Sequence, residues 1–136
     1  MGARILVVDD EPANRELLEA ILTQDGYTVV LAEDAAGAIA AVRTSRPDLI
    51  LLDLMMPGID GLELCRALKR APRSAGIPVI VVTAMAPDMA REAALASGAD
   101  DCLTKPIHVA QLRARVGTIL EACRIAGRTP SDGPRL

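Results

Sequence analysis

The sequence predicts an α/β domain in which helices cover both faces of a parallel β-sheet. Four short, mostly aliphatic runs, at residues 5–8, 49–52, 79–82 and 102–104, each end in a polar residue. Such runs, bounded by turn residues, are typical of strands that are buried on both faces. Stretches with a helical apolar period separate them, so that strand and helix alternate five times. This alternation favours a parallel sheet with right-handed crossover connections.

The first half of the chain supplies two strands and two helices. Pro12 suits the first position of the first helix, and Gly26 suits the left-handed residue that follows its end. Residues 28–32 predict a second strand near a sheet edge, because they are less uniformly apolar than the other runs. A second helix follows and stops before Pro47. The apolar stripes comprise Leu17, Leu18, Ile21 and Leu22 in the first helix and Ala35, Ala38, Ile39 and Val42 in the second.

Three further helices are predicted in the second half. The dipeptide at 57–58, Pro-Gly, marks a turn after the run that ends at Asp53, and the third helix follows it. The fourth helix is short and rich in Ala, spans residues 87–97 and ends at Gly98. The last helix carries the longest helical period. The apolar stripes comprise Leu62, Cys65 and Leu68 in the third helix and Val109, Leu112, Val116, Ile119, Leu120 and Cys123 in the last.

Length, composition and charge exclude several classes of protein. The 136 residues favour one domain, which we place at 1–124, followed by a flexible tail or linker at 125–136. A net charge of −3 with no Trp, no Phe and one Tyr argues against nucleic-acid binding by this domain. No stretch approaches the roughly 20 apolar residues of a membrane span, and no signal-peptide pattern is present. Three cysteines without CxxC spacing indicate reduced thiols in a cytoplasmic protein.

Polar residues at the ends of the four runs predict a shared site. Asp9 and Asp10 follow the first run, Asp53 the second, and Thr83 and Lys105 the last two. The carboxyl ends of parallel strands line one edge of a sheet, where ligands bind. Two carboxylates about 5 Å apart repel by roughly 3 kcal/mol at an effective dielectric near 20, and Mg²⁺ relieves such repulsion. A carboxylate beside the metal would suit a nucleophile that accepts a phosphoryl group.

Each of these residues also has a structural explanation when it is taken alone. Asp9 and Asp10 would suit a helix N-terminus, where acidic side chains interact favourably with the helix dipole. Asp53 and Lys105 would each suit a turn, and Thr83 would suit a strand end. Their joint occurrence at successive strand ends favours a single site.

The same stretches carry a resemblance to a known family. They read ILVVDD at 5–10, DLILLDLMMPGIDG at 48–61, VTA at 82–84 and GADDCLTKP at 98–106. With these motifs in this order, the chain resembles the receiver domain of two-component response regulators over residues 3–122. The resemblance implies a flavodoxin-like, doubly wound (βα)5 fold, with a five-stranded parallel sheet of order 2-1-3-4-5 and helices on both faces.

The resemblance also implies a role for each carboxylate. Asp53 would be the phosphoacceptor and would contribute to a Mg²⁺ site. Asp10 would ligate the metal directly, and Asp9 would act mainly through water. The backbone carbonyl of Met55 would be the third protein ligand.

The resemblance implies roles for the two remaining polar residues. Thr83 resembles the switch hydroxyl that moves to the phosphoryl group, and Lys105 resembles the partner of the acceptor carboxylate and later of the phosphate. The peptide bond between Lys105 and Pro106 would be cis. Receivers usually carry Tyr or Phe three residues before this Lys, whereas this chain has Cys102. Since a thiol has no ring to rotate, the signal would pass instead through the loop at 84–87 and the fourth helix.

The resemblance implies a Mg²⁺-dependent phosphoacceptor and not an enzyme, with slow self-dephosphorylation at most. Its donor would be a sensor histidine kinase or a histidine phosphotransfer protein. The face of the fourth and fifth helices would bind an effector or a second copy of the chain. Cys102 favours one alternative, a phosphorylation-independent interaction or dimerisation scaffold. A Mg²⁺-dependent phosphohydrolase ranks last, because the Asp-x-Asp motif and the capping insert of such enzymes are missing.

Overall fold

A computed structural model describes residues 2–56 and 59–127. The five main strands are β1 (Arg4–Val8), β2 (Thr28–Ala32), β3 (Leu49–Asp53), β4 (Val79–Thr83) and β5 (Asp101–Thr104). The five helices are α1 (Pro12–Gln24), α2 (Ala35–Ser45), α3 (Gly61–Arg70), α4 (Pro87–Ser97) and α5 (Val109–Ile125). Two further two-residue strands, Met55–Met56 and Ile59–Asp60, pair with each other in antiparallel fashion.

The five main strands form one parallel sheet in the order β2-β1-β3-β4-β5. The predicted order 2-1-3-4-5 is therefore confirmed. Every residue of β3 and β4 is buried, whereas β2 lies at an edge and is buried only at Ala32. The weaker apolar character of residues 28–32 thus reflects an edge position, as predicted, because an edge strand has a neighbour on one side only.

The helices cover both faces of the sheet, which confirms the predicted fold class. Leu6 and Val8 of β1 pack into a core cluster with α2, α3 and α4. Ile5 and Val7 of the same strand pack into a second cluster with α1 and α5. Successive strand residues point to opposite faces, and a strand with helices on both sides must therefore be apolar throughout.

Three residues of the predicted helix stripes are exposed. Leu17 of α1 is 52% exposed, whereas the adjacent Leu18 is 2% exposed. Ile39 of α2 is 45% exposed, because α2 packs through a face made mostly of Ala side chains, such as Ala38. Val109, the first residue of α5, is 40% exposed. The prediction was wrong for Leu17, Ile39 and Val109. A helix buries a stripe of limited width, and a residue one position away from its centre faces solvent.

The predicted helix ends are confirmed where the structure describes them. Pro12 begins α1, and Gly26 and Gly98 adopt left-handed conformations after α1 and α4, with φ of 92° and 85°. The Cβ atom of other residues disfavours this region, so Gly is the residue that ends a helix at least cost.

The C-terminal boundary of the domain stays a prediction. Helix α5 continues to Ile125, one residue into the predicted tail. The rest of that tail from residue 128 on, like the predicted turn at 57–58, lies outside the described residues. Within the described ranges, no helix has both the length and the apolar character that crossing a membrane requires.

Candidate functional site

The strand register brings the three predicted carboxylates together. Val8 of β1 lies opposite Leu52 of β3, so the residues that follow them, Asp9 and Asp53, emerge side by side at the same sheet edge. Carboxylate oxygens of Asp9, Asp10 and Asp53 lie within 4.8 Å of one another. Asp9 is 2% exposed and Asp53 is 4% exposed, whereas Asp10 is half-buried. The acidic cluster is therefore held inside the fold.

Asp9 is fixed by contacts on three sides. Its backbone N–H donates to the carbonyl of Ala32 at 3.1 Å. Its Oδ1 accepts from the backbone N–H of Glu11 at 2.9 Å, which shapes the turn into α1. Arg15 donates from Nη1 to the Asp9 backbone carbonyl at 2.6 Å. These bonds set the position of the Asp9 carboxylate before any ligand binds.

Lys105 supplies the positive charge of the pocket. Its Nζ lies 3.2 Å from Oδ2 of Asp53 and 3.5 Å from Oδ2 of Asp9. Burial by itself would lower the pKa of Lys105, but the two carboxylates outweigh this effect, and the pKa is raised. Lys105 is therefore charged at neutral pH. The bond between Lys105 and Pro106 is cis, as the resemblance implied.

Thr83 lies at the same edge, at the end of β4. Its neighbour Val82 lies opposite Asp53, and Thr83 itself is fully buried. The Thr83 hydroxyl oxygen accepts from the backbone N–H of Met85 at 3.2 Å, and its backbone carbonyl accepts from the N–H of Lys105 at 2.7 Å. The Thr83 hydroxyl and the Lys105 ammonium therefore belong to adjacent segments that are joined by a backbone hydrogen bond.

Met55 lies two residues after Asp53, the last residue of β3. It pairs with Asp60 in the short antiparallel ladder, which begins directly after the buried Leu54. This position places the Met55 backbone next to the acidic cluster in sequence. Its proposed role as a metal ligand through its carbonyl oxygen stays a prediction.

Sequence reasoning missed the role of Gly61, the first residue of α3. Its N–H donates to the Leu54 carbonyl at 3.3 Å. A Cβ atom on Gly61 would lie 2.5 Å from Cα of Leu54 and 2.8 Å from the carbonyl oxygen of Asp53. The start of helix α3 therefore lies so close to the end of β3 that only glycine fits at position 61 without a shift of the backbone. The signal in the sequence was a glycine at a predicted helix start, eight residues after Asp53.

Cys102 occupies the position at which receivers usually carry an aromatic ring. It lies on the edge strand β5, opposite Val81, and is partly buried against the α2–α3–α4 core cluster. Burial and the neighbouring Asp101 raise the pKa of the Cys102 thiol, while Arg91 and Arg115 oppose that shift. The thiol is therefore protonated at neutral pH and behaves as a small apolar side chain.

The donor set of the pocket fits a hard divalent cation. Its side-chain ligand atoms are carboxylate oxygens, which Mg²⁺ prefers over nitrogen or sulfur. Three carboxylates converge there, while the ammonium of Lys105 contacts two of them. The negative charge of the carboxylates exceeds the positive charge of Lys105, and this excess would attract a divalent cation.

Comparison with known proteins identifies the family. Residues 5–117 match the family model described as the response regulator receiver domain. Over 119 residues the chain is 50% identical to the response regulator PleD of Caulobacter vibrioides, covering 88% of this chain and 26% of PleD. It is 43% identical over 134 residues to the response regulator MprA of Mycobacterium ulcerans, covering 97% of this chain and 56% of MprA. The chain thus spans about a quarter to a half of these relatives.

Solved structures of receiver domains support the same family. The signal receiver domain of a histidine kinase from Syntrophus aciditrophicus superimposes with a TM-score of 0.84 at 35% identity, covering 99% of this chain and all of that one. The receiver domain of a sensor histidine kinase from Pseudomonas aeruginosa, solved with a magnesium ion in its active-site cleft, gives a TM-score of 0.79 at 34% identity, covering 87% and 97% of the two chains. With its parallel sheet and its buried acidic edge, this chain belongs to the family of response regulator receiver domains of two-component systems.

Proposed function

We propose that this receiver accepts a phosphoryl group on Asp53 from the phosphohistidine of a sensor kinase or a histidine phosphotransfer protein, in a reaction that requires Mg²⁺. One observation carries the proposal. The Asp53 carboxylate lies among two further carboxylates and contacts the Lys105 ammonium at 3.2 Å. Receiver domains are signalling modules, and any turnover here would be slow hydrolysis of the protein's own phosphate.

The transfer is a displacement at phosphorus. An oxygen of Asp53 attacks the phosphoryl group, and a P–O bond forms as the P–N bond of the donor breaks and leaves its electron pair on the imidazole nitrogen. Asp9, Asp10, Asp53 and the carbonyl oxygen of Met55 would hold Mg²⁺. The metal would offset charge on the phosphoryl oxygens. Lys105 is the second cation of the site and already contacts the acceptor.

The Thr83 hydroxyl then responds to the new charge on Asp53. The phosphoryl group adds about −1.5 to −2 charge next to the end of β4. Before phosphorylation, the Thr83 hydroxyl oxygen accepts from the backbone N–H of Met85. After phosphorylation, the hydroxyl turns to donate to a phosphoryl oxygen. Because Met85 lies in the loop before α4, this movement releases a hydrogen bond that orders the loop.

We propose that α4 and α5 form the surface that responds. Met89 and Leu95 of α4 are 64% and 72% exposed, so apolar side chains are available to an effector or a second copy. Cys102 cannot pass the signal by ring rotation, so the route leads through the loop at 84–87. The relative MtrA of Mycolicibacterium smegmatis is a DNA-binding response regulator. An output domain after this receiver would fit such a relative.

The location of the protein is also part of the proposal. A cytoplasmic receiver fits the three free cysteines of the described chain, since reducing compartments keep thiols unpaired.

The test is phosphorylation by acetyl phosphate with Mg²⁺, measured by intact mass under native conditions. We expect one phosphoryl group on the parent chain and none on Asp53→Asn. Asp25→Asn is the matched control, because Asp25 pairs with Arg113 outside the pocket and its loss should leave the yield unchanged. Equal modification of Asp53→Asn and the parent would contradict the assignment of the acceptor.

Cys102 also favours a second candidate function, a scaffold that binds partners without phosphorylation. Methyl chemical shifts with and without beryllofluoride separate the two. The phosphoacceptor predicts shifts at Met89 and Leu95 on α4, whereas the scaffold predicts changes confined to the pocket.

A further inference from the structure

We propose that Arg15 is a positioning residue for the metal site, which holds the turn between β1 and α1 in the conformation that presents the Asp9 and Asp10 carboxylates. This inference rests on the proposed Mg²⁺ site. It adds a residue of α1 whose side chain carries no ligand oxygen.

The geometry of the Arg15 side chain connects three segments. Nη1 donates to the backbone carbonyl of Asp9 at 2.6 Å, at the end of β1. Nη2 lies 3.8 Å from the Glu33 carboxylate in the loop after β2. The backbone of Arg15 is held in the first turn of α1, because its N–H donates to the backbone carbonyl of Glu11 at 3.1 Å. The Arg15 side chain is 15% exposed, so it is packed in place.

Arg15 differs from Lys105 in what it touches. The Lys105 ammonium lies next to the carboxylate oxygens of Asp9 and Asp53 and shares them with a bound metal. Arg15 contacts the Asp9 backbone carbonyl, so it adds positive charge beside the pocket through a backbone oxygen and not through a carboxylate oxygen of Asp9. A partner that orients a ligand residue in this way typically changes metal affinity about ten- to a hundredfold when it is removed.

The two contacts of the Arg15 side chain contribute unequally to holding the turn between β1 and α1. Glu33 is 72% exposed and lies at 3.8 Å, which is a weak, solvent-screened pair. The bond to the Asp9 carbonyl is short and shielded, since Asp9 is 2% exposed. The bond to the carbonyl is therefore the one that positions the turn. Guanidinium presents donors in a rigid fork, whereas Lys carries a point charge on a flexible stem, so Arg15→Lys should not restore the arrangement.

The test is Mg²⁺ affinity, measured by calorimetric titration of the full chain. We expect Arg15→Ala to weaken Mg²⁺ binding about tenfold, Arg15→Lys to stay close to Arg15→Ala, and Glu33→Gln to remain within about twofold of the parent. Arg113→Ala is the matched control, because Arg113 also bridges two segments through an exposed ion pair but lies outside the site. Amide hydrogen exchange in the metal-free protein gives a second readout. The Glu11 N–H, which donates to Asp9 Oδ1, should exchange faster in Arg15→Ala.

Several outcomes would overturn the inference. Unchanged Mg²⁺ binding by Arg15→Ala would mean that Arg15 has no role in the metal site, and tighter binding would mean that the guanidinium acts only as an opposing charge. Full affinity in Arg15→Lys would mean that charge alone suffices, and this variant decides the question if Arg15→Ala does not fold. A parent chain that binds no Mg²⁺ would overturn this role together with the metal site. Weaker Mg²⁺ binding in Arg15→Ala, with no phosphorylation of Asp53 in the parent, would support Arg15 and contradict the proposed function.

Discussion

The ammonium of Lys105 lies 3.2 Å from the Asp53 carboxylate and 3.5 Å from that of Asp9, although more than 50 residues separate Lys105 from either one. One cation therefore contacts two members of the acidic cluster. A metal ion that binds to the cluster shares these carboxylates with Lys105. In the metal-free protein, Lys105 offsets part of the negative charge of the pocket, and it would thereby lower the affinity of the pocket for a metal ion.

Removing the Lys105 charge should therefore strengthen metal binding. We expect Lys105→Gln to bind Mg²⁺ about fivefold more tightly than the parent, since a competing unit charge in a partly buried site contributes on the order of 1 kcal/mol. Titration calorimetry at fixed ionic strength measures the difference. Lys69→Gln is the matched control, because Lys69 pairs with Asp100 at 3.1 Å outside the pocket. Weaker binding by Lys105→Gln would show that Lys105 orders the carboxylates more than it competes for them.

The same ammonium makes stability depend on alkaline pH. The Asp53 and Asp9 carboxylates raise the pKa of Lys105 in the folded protein above its usual value of 10.5. The folded state therefore binds the proton more tightly than the unfolded state does. This stabilisation is fully present below the unfolded pKa and is lost as pH rises through the folded pKa.

Urea unfolding from about pH 8 to about pH 11.5 would detect this loss. We expect the difference in unfolding free energy between the parent and Lys105→Gln to stay constant up to roughly pH 10 and to shrink above it. Titration of other groups is common to both proteins and cancels in the difference. A difference that grows above that pH would contradict the predicted sign.

Gly61 should tolerate no side chain. We expect Gly61→Ala to destabilise the fold by about 1–3 kcal/mol, because the new Cβ would lie 2.5 Å from Cα of Leu54. The displaced backbone belongs to the segment after Asp53, so binding of beryllofluoride should weaken as well. Gly117→Ala is the control, since a Cβ there meets nothing within 4 Å and should stabilise α5 by roughly 0.5–1 kcal/mol. Equal stability of the two variants would contradict the close approach of α3.

The two adjacent leucines of α1 should differ in their contribution to stability. Leu18 is 2% exposed and Leu17 is 52% exposed. Replacement of Leu18 by Ala should cost about 2–5 kcal/mol through lost burial and a cavity. Replacement of Leu17 should change the unfolding free energy by no more than about 0.5 kcal/mol. Denaturant unfolding of the two variants compares them directly, and similar losses would show that α1 is rotated relative to the sheet.

The residues of the acidic cluster could be predicted because their signals are local. Asp9, Asp10 and Asp53 each follow an apolar run that is buried on both faces, and a parallel sheet brings the ends of neighbouring strands to one edge. Arg15 and Gly61 could not be predicted in the same way. The contact of Arg15 depends on how α1 leaves β1, and the need for glycine at 61 depends on how closely α3 approaches Leu54.

The ion pairs of the last helix, α5, could not be predicted from the sequence either. Arg113 pairs with Asp25 and Arg115 pairs with Asp101, each across segments that are distant in sequence. Asp100 likewise accepts from the N–H of Val79 at 2.8 Å. A periodic pattern identifies the exposed face of a helix but not the charge that lies opposite it.

The sequence by itself determined the alternation of strands and helices, the edge position of β2 and the identity of the polar residues at the strand ends, because hydrophobic period and turn chemistry are properties of short segments. Only the tertiary structure decided that Lys105 contacts two carboxylates, that Arg15 holds the Asp9 carbonyl and that Leu17 faces solvent. These features depend on strand register and helix rotation, which are fixed by packing between segments distant in the chain.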